Sequence, residues 1–416
     1  MKLAILIGGL SVAAMLAGMG GAARAADTIR VGALATLEGP FAEPGKDSMR
    51  GVELALDEFG GEVAGKKIEL FKASSDGNPE VALQSARRLV DQDKVQILIG
   101  PLSGSEGIAM RDYAKTVPTV TFFNGSSAAI ETTLVTPAPN FYRFNTDGAQ
   151  WTAALGKYIA VEKNWKKMVL VSEDYSFPYA QIFGFMGTYC ANGGHMVKKF
   201  YVPLGTKDYS SVIAQLPDKG EVDGMLVVLG GADAVNFLTQ YTQAGGEVPM
   251  VGGSITVDQT VLSAKGPARP HLPGVLSSGP ISDTDTSPAW KAFVAAYQKK
   301  FPNGLPSPSL FGFNYYTSTK AALLGIKAAG GDLSDGEAKY RKALDTLSFD
   351  TPTGPVSLNG NRQATAAVYV NEIVDSGGLL TTKPISKQDK VDQTLGLGEA
   401  AYAKLGLPSR DNPSCP

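Results

Sequence analysis

The feature that most constrains this 416-residue chain is an alternation of short apolar runs with helical stretches, kept up from residue 29 to residue 251. It is plainest at residues 95–127, VQILIGPLSGSEGIAMRDYAKTVPTVTFFNGSS. There the pattern predicts a strand over 96–99, a Gly100-Pro101 turn, a loop over 102–105, a helix from Glu106, and a strand over 119–123 that runs into Asn124-Gly125-Ser126-Ser127. Apolar runs of this length suit strands buried on both faces, and the helix between them makes a parallel βαβ unit. In such sheets ligands gather beyond the carboxyl ends of the strands, where helix N-termini offer unpaired N–H groups to an anion. Both strands end in short hydroxyl side chains, which reads as half of a carboxylate pocket. Ser103, Ser105 and Ser126 read equally well, one by one, as N-caps and turn formers.

The same period extends in both directions. Upstream come a strand over 29–34, a loop over 38–45, a helix from Asp47 with Val52, Leu56 and Phe59 at helical spacing, a strand over 67–72 and a helix over 81–91. Residues 141–145 form a short extended segment, after which a second series begins: helix 151–160, strand 167–172, an aromatic loop over 173–179, helix 181–192, strand 197–202, helix 209–216, strand 224–229, helix 234–243 and strand 250–251. Beyond it the pattern gives a crossing strand over 274–282, helices over 289–300, 315–329 and 336–347, a crossing at 351–358 and a strand over 363–374. From Lys383 onward the chain is polar and Gly-rich and reads as a wrapping tail with one helical patch at 398–405. The whole is the signature of doubly wound α/β domains.

Lys2, the apolar run over 3–19 and Ala23-Arg24-Ala25 form the n-region, h-region and cleavage pattern of a secretory signal peptide over residues 1–25. No cysteine lies near that cleavage site, so a soluble periplasmic protein is expected and not a lipoprotein. Roughly 390 residues remain, more than one ordinary core holds, so two domains are expected. With 38 Lys and Arg against 40 Asp and Glu, and no basic stripe, nucleic acid is not an expected partner. Cys190 and Cys415 either bridge the tail to the body in an oxidising compartment or stay as two thiols.

Enzyme chemistry finds little footing. His195 and His271 lack partners at metal-ligand spacing, and there is no G-x-S-x-G elbow, P-loop or H-E-x-x-H. Glu173 and Asp174 are adjacent on a loop and read as solvated. No cofactor, metal or catalytic activity is expected. What remains is a site built from the loops of two facing domains: Phe41, Ser103, Gly104, Ser105, Asn124, Ser126, Ser127, Tyr175, Phe177, Ala232, Ser254 and Phe311. Hydroxyls and N–H groups at a helix start suit a carboxylate, and aromatic walls suit an apolar or aromatic body. Phe177 and Phe311 could equally be core, while Tyr175 reads as exposed.

At Ile29-Arg30-Val31-Gly32-Ala33, Gly51-Val52-Glu53-Leu54-Ala55, Ile99-Gly100-Pro101-Leu102-Ser103-Gly104-Ser105, Phe141-Tyr142-Arg143 and Asp208-Tyr209-Ser210, taken in order, the chain resembles the Leu/Ile/Val-binding periplasmic proteins of ABC transporters. The resemblance covers residues 29–374. It implies a type I periplasmic binding fold: two Rossmann-like lobes joined by three crossing strands near residues 145, 279 and 351, closing on ligand. The lobes would comprise 26–145 with 279–350, and 146–278 with 351–416. It further implies that Gly104, Ser105, Asn124 and Ser126 hold a carboxylate, and that the partners are a small-molecule carboxylate and the inner-membrane permease. The family's amino-acid binders hold the α-ammonium through an acid near the position of Ser254, helped by an aromatic near Ala232. Neither residue is charged here, and a buried ammonium without a counter-charge is strongly unfavourable. The expected ligand is therefore an aromatic acid, to which the loop Asp174-Tyr175-Ser176-Phe177 is suited by similarity. The alternatives are a branched-chain or other aliphatic amino acid whose ammonium meets Glu173, Asp174 or Asp258, and a ligand-sensing module for a receptor.

Overall fold

The structure is a computed structural model that describes residues 28–414. The signal-peptide expectation and Cys415 lie outside the described residues. The fold is α/β, with one mainly parallel sheet and one mixed sheet whose core is parallel, each flanked by helices. The first sheet is formed by β1 (Ile29–Thr36), β2 (Glu62–Val63), β3 (Lys66–Ser75), β4 (Ile97–Ile99), β5 (Thr121–Phe123) and β6 (Phe141–Tyr142) in the order β2-β3-β1-β4-β5-β6. Seven of the eight β1 residues are buried, as expected of a central strand covered on both faces. Val31 pairs with Leu70 on one side and Ile97 on the other.

The second sheet comprises β7 (Lys167–Glu173), β8 (His195–Val202), β9 (Gly224–Val228), β10 (Met250–Gly252), β11 (Leu276–Gly279), β12 (Phe349–Thr351), β13 (Gly354–Leu358), β14 (Ala364–Asp375) and β15 (Leu380–Val391). Its order is β12-β13-β14-β11-β10-β9-β7-β8, with β15 also paired to β14. The polar tail expected from Lys383 is corrected in part. Residues up to Val391 form an edge strand with Pro384 in it, and mainly solvent-facing side chains hid it from pattern reading.

The chain passes between the sheets three times. It leaves β6 for the helix Gly148–Val161, leaves β11 for the helix Pro288–Lys300, and returns from the helix Ser334–Asp345 into β12. The helices Pro288–Lys300 and Leu310–Ala328 bury Trp290, Phe293, Phe311, Phe313 and Tyr315 in the core of the first lobe, although they follow strands of the second in sequence. Phe349, Val356 and Leu358 pack against that same core while their strands belong to the second sheet. The last helix, Glu399–Ala403, inserts Tyr402 beside Phe183 and Ile130, so the tail touches both lobes. Cys190 is in a disulfide.

Candidate functional site

Strand order reverses direction at one point in each sheet. In the first sheet β3 lies on one side of β1 and β4 on the other, and in the second β8 and β9 flank β7. Crevices at such switch points are the preferred ligand sites of parallel sheets. In this molecule the two crevices face each other. A Cβ on Gly104, beyond β4, would lie 2.7 Å from Phe177 N and Ser176 Oγ of the other lobe, and one on Gly230, beyond β9, would lie 2.8 Å from the Phe41 ring. The lobes are thus closed on one another, with no room for a side chain at Gly104 or Gly230.

On the first lobe, the helix Gly104–Thr116 starts at the cleft. Ser103 is its N-cap. Its Oγ accepts from Glu106 N at 3.4 Å, and Glu106 Oε2 accepts from Ser103 N at 3.1 Å, a complete capping box. The Ser103 hydroxyl is therefore engaged within the fold, also meeting Gly77 O at 3.4 Å. Ser105 is half-buried, its Oγ 3.2 Å from Ser176 Oγ across the gap. Asn124 shapes the neighbouring loop, donating from Nδ2 to Ser127 O at 2.9 Å and to Asn145 Oδ1 at 3.0 Å. Ser127 Oγ reaches Gly104 O at 3.5 Å. Ser126 is anchored by its backbone N–H to Pro101 O at 3.0 Å, while its buried Oγ has no partner. Polar atoms buried in a fold are normally paired, so an unpartnered hydroxyl at a strand's carboxyl end is suited to donate to a ligand's oxygen.

On the second lobe, Tyr175 is half-buried, not exposed as the sequence suggested, and precedes the helix Ser176–Ala191. Its ring lies 6.3 Å from Phe177 and 6.4 Å from Phe41, and Phe41 lies 6.5 Å from Phe311. The four aromatics form one continuous wall from lobe to lobe. Phe177 also backs onto Trp151 at 5.7 Å, so it belongs to wall and core at once. Ser254 is not free: Gln181 Nε2 donates to its Oγ at 2.5 Å, and its N–H donates to Gln181 Oε1 at 3.1 Å. Gln181 was not legible as a site neighbour, since it sits mid-helix with no local motif. Ala232 is exposed, and Gly230 and Gly231 make the cleft surface in its place.

Glu173 corrects the sequence reading outright. It is the last residue of β7 and wholly buried, not a solvated loop carboxylate. Across the switch point its Oε1 accepts from Gly230 N at 2.9 Å, and its Oε2 has no partner. Burial holds the Glu173 carboxyl well above the usual carboxylate range, the nearby Asp233 adds to this, and hydrogen bonds from Gly230 and Tyr175 oppose it. Asp233 is itself pushed up to about 6 by burial, against hydrogen bonds from Gly205 and Thr206 N–H groups. Burial likewise raises Glu106. Asp174 is turned outward, paired with Arg410 of the tail. Asp258 is buried but spent on the N–H groups of Thr260 (2.9 Å) and Leu310 (2.8 Å), the second of these linking the lobes. Among the described residues no cluster of three or more metal-ligating side chains occurs, and no helix is long and apolar enough to cross a membrane.

Two switch-point crevices closed over hydroxyls, N–H groups and aromatic rings define a two-lobed receptor for a small solute. The chain belongs to the periplasmic binding protein family, whose profile matches residues 28–378. It is 26% identical over 358 residues to Leu/Ile/Val-binding protein homolog 6 of Brucella melitensis, covering 84% of this chain and 88% of that protein. Among solved structures it resembles an ABC-transporter solute-binding protein from R. palustris in complex with 4-hydroxybenzoate, with a TM-score of 0.79 and 26% identity, covering 88% of this chain and 98% of that one. A second R. palustris solute-binding protein, in complex with benzoate, has a TM-score of 0.80 at 23% identity, covering 88% and 98%.

Proposed function

We propose that this protein is the solute-binding component of an ABC importer, held in the periplasm after removal of residues 1–25, which encloses a small aromatic carboxylate and hands it to the permease subunits in the inner membrane. Its role is binding without catalysis, with lobes comprising 26–145 with 279–350 and 146–278 with 351–416. The observation that carries the ligand class is the unpartnered, buried Ser126 Oγ beside the start of the helix Gly104–Thr116, set against the wall of Phe41, Tyr175, Phe177 and Phe311. The relative in complex with 4-hydroxybenzoate supports it. Gly104, Ser105 and Ser126 meet the carboxylate, Asn124 and Ser127 hold their loop in shape, and Ser103 and Ser254 act from behind through Glu106 and Gln181. Calorimetry on protein unfolded and refolded to strip ligand tests this. Ser126→Ala should weaken binding of an aromatic acid by about 1.5–3 kcal/mol, the worth of a hydrogen bond to a charged group. Unchanged affinity removes Ser126 from the site.

The second reading is a branched-chain amino acid whose ammonium meets Glu173. The unpartnered Glu173 Oε2 favours it, as do the curated relatives named for Leu/Ile/Val binding. Leucine should then bind, and Glu173→Gln should abolish that binding.

A further inference from the structure

The Glu173 carboxyl has no task in holding the fold that would account for both of its oxygens. Oε1 is fixed by Gly230 N–H, whereas Oε2 is buried without a partner at the carboxyl end of the strand that marks the second lobe's switch point. Gly230 stands directly against the Phe41 ring, and Tyr175, which interacts electrostatically with Glu173, packs edge-on beside that ring. The charged or titratable neighbours of this group are Tyr175, Tyr209 and Asp233 on its own lobe and, facing Tyr175 from the first lobe, Glu106. All are acidic, so a second carboxylate is disfavoured at Glu173, whereas a neutral hydroxyl, which both donates and accepts, suits Oε2 with or without the proton that burial favours.

Resting on the aromatic-acid reading above, we propose that Glu173 forms a second polar subsite that recognises a phenolic hydroxyl, so that the ligand class is a hydroxylated aromatic acid with its hydroxyl remote from its carboxylate. One unpartnered oxygen matches the single hydroxyl of a phenol, while a buried ammonium brings three donors and needs an acceptor for each. Phe41 and Tyr175, beside Gly230 and Glu173, offer ring surface that suits an aromatic body. A ligand lacking the hydroxyl leaves Oε2 unpaired and desolvated, which makes the subsite a filter as well as an anchor.

The test is calorimetry with matched pairs that differ by one hydroxyl: benzoate against 4-hydroxybenzoate, and 3-phenylpropionate against 3-(4-hydroxyphenyl)propionate, with leucine and phenylalanine as controls. In the unmodified protein the hydroxylated member of at least one pair should bind about tenfold tighter or more. Glu173→Met should erase that preference while leaving the unhydroxylated acid bound as before, and Glu173→Gln, which keeps an acceptor oxygen, should retain part of it. Equal affinity within both pairs overturns the subsite and leaves the aromatic-acid reading standing. A preference that survives in Glu173→Met assigns the hydroxyl to another residue and overturns the role of Glu173. Binding of leucine or phenylalanine with none of the four acids overturns the aromatic-acid reading itself. Should the methionine variant not fold, Glu173→Gln decides in its place, and a preference undiminished in that variant overturns the role of Glu173.

Discussion

Arg143 is wholly buried where the chain leaves the first sheet. Its guanidinium donates to Ala129 O at 2.6 Å, Thr133 Oγ1 at 2.7 Å and Gln363 Oε1, and stands 3.5 Å from Asp147 Oδ2. Burial pulls its pKa down to about 10, while Asp147 and Glu131 pull it back up. Phe141-Tyr142-Arg143, part of the sequence resemblance, is therefore a structural motif, tying the first crossing to the Gln363 end of β14. Arg143→Met should cost about 3–5 kcal/mol, because it leaves the buried Asp147 carboxyl without its counter-charge. Urea unfolding measures this, and a loss under about 1 kcal/mol would show the pair to be dispensable. Two adjacent acids, Glu173 and Asp174, show how much single residues withhold from sequence reading. Glu173 ends its strand and is wholly buried, while Asp174 begins the bend that follows and pairs with Arg410.

At the scale of elements, the helix Gly104–Thr116 and the loop 124–127 sit where the alternation of strands and helices places them, beyond the ends of β4 and β5. The division of labour within them was hidden, because a capping serine and one whose hydroxyl is left unpartnered carry the same side chain. Only the hydrogen-bond partners separate Ser103 from Ser126. Gly104 acts through its lack of a side chain, since any Cβ would sit 2.7 Å from Phe177 N and Ser176 Oγ. Gly104→Ala should hold the lobes ajar and weaken ligand binding by about 1–3 kcal/mol, the usual cost of overpacking. The ligand-saturated variant should also have a larger radius of gyration by small-angle scattering. Unaltered affinity together with unaltered compaction would mean that the lobes meet elsewhere first.

For the molecule as a whole, burial raises the carboxyls of Glu106, Glu131, Asp147, Glu173 and Asp283, and lifts Asp233 to about 6 and Asp258 and Glu337 to about 7. Groups whose folded pKa exceeds the unfolded value keep protons that the unfolded chain has released. Stability then falls as pH rises from about 4 to about 7, each tenfold difference in proton affinity between folded and unfolded chain costing about 1.4 kcal/mol. The thermal midpoint of the ligand-free protein should accordingly be higher at about pH 5 than at about pH 8, and the opposite order would falsify this account. The alternating βαβ order and the hydroxyl loops at strand ends were legible from the residues alone, because strand and helix periodicity and turn chemistry are local properties written in neighbouring residues, while the two lobes followed from chain length and the family resemblance. Which buried polar atoms are left unpartnered, that Glu173 is sealed against Gly230 while Ala232 is exposed, and that Asp258 is spent on Leu310 came from tertiary packing. These depend on which strand ends meet across two switch points and how far the lobes close, distances set by packing between residues far apart in the chain.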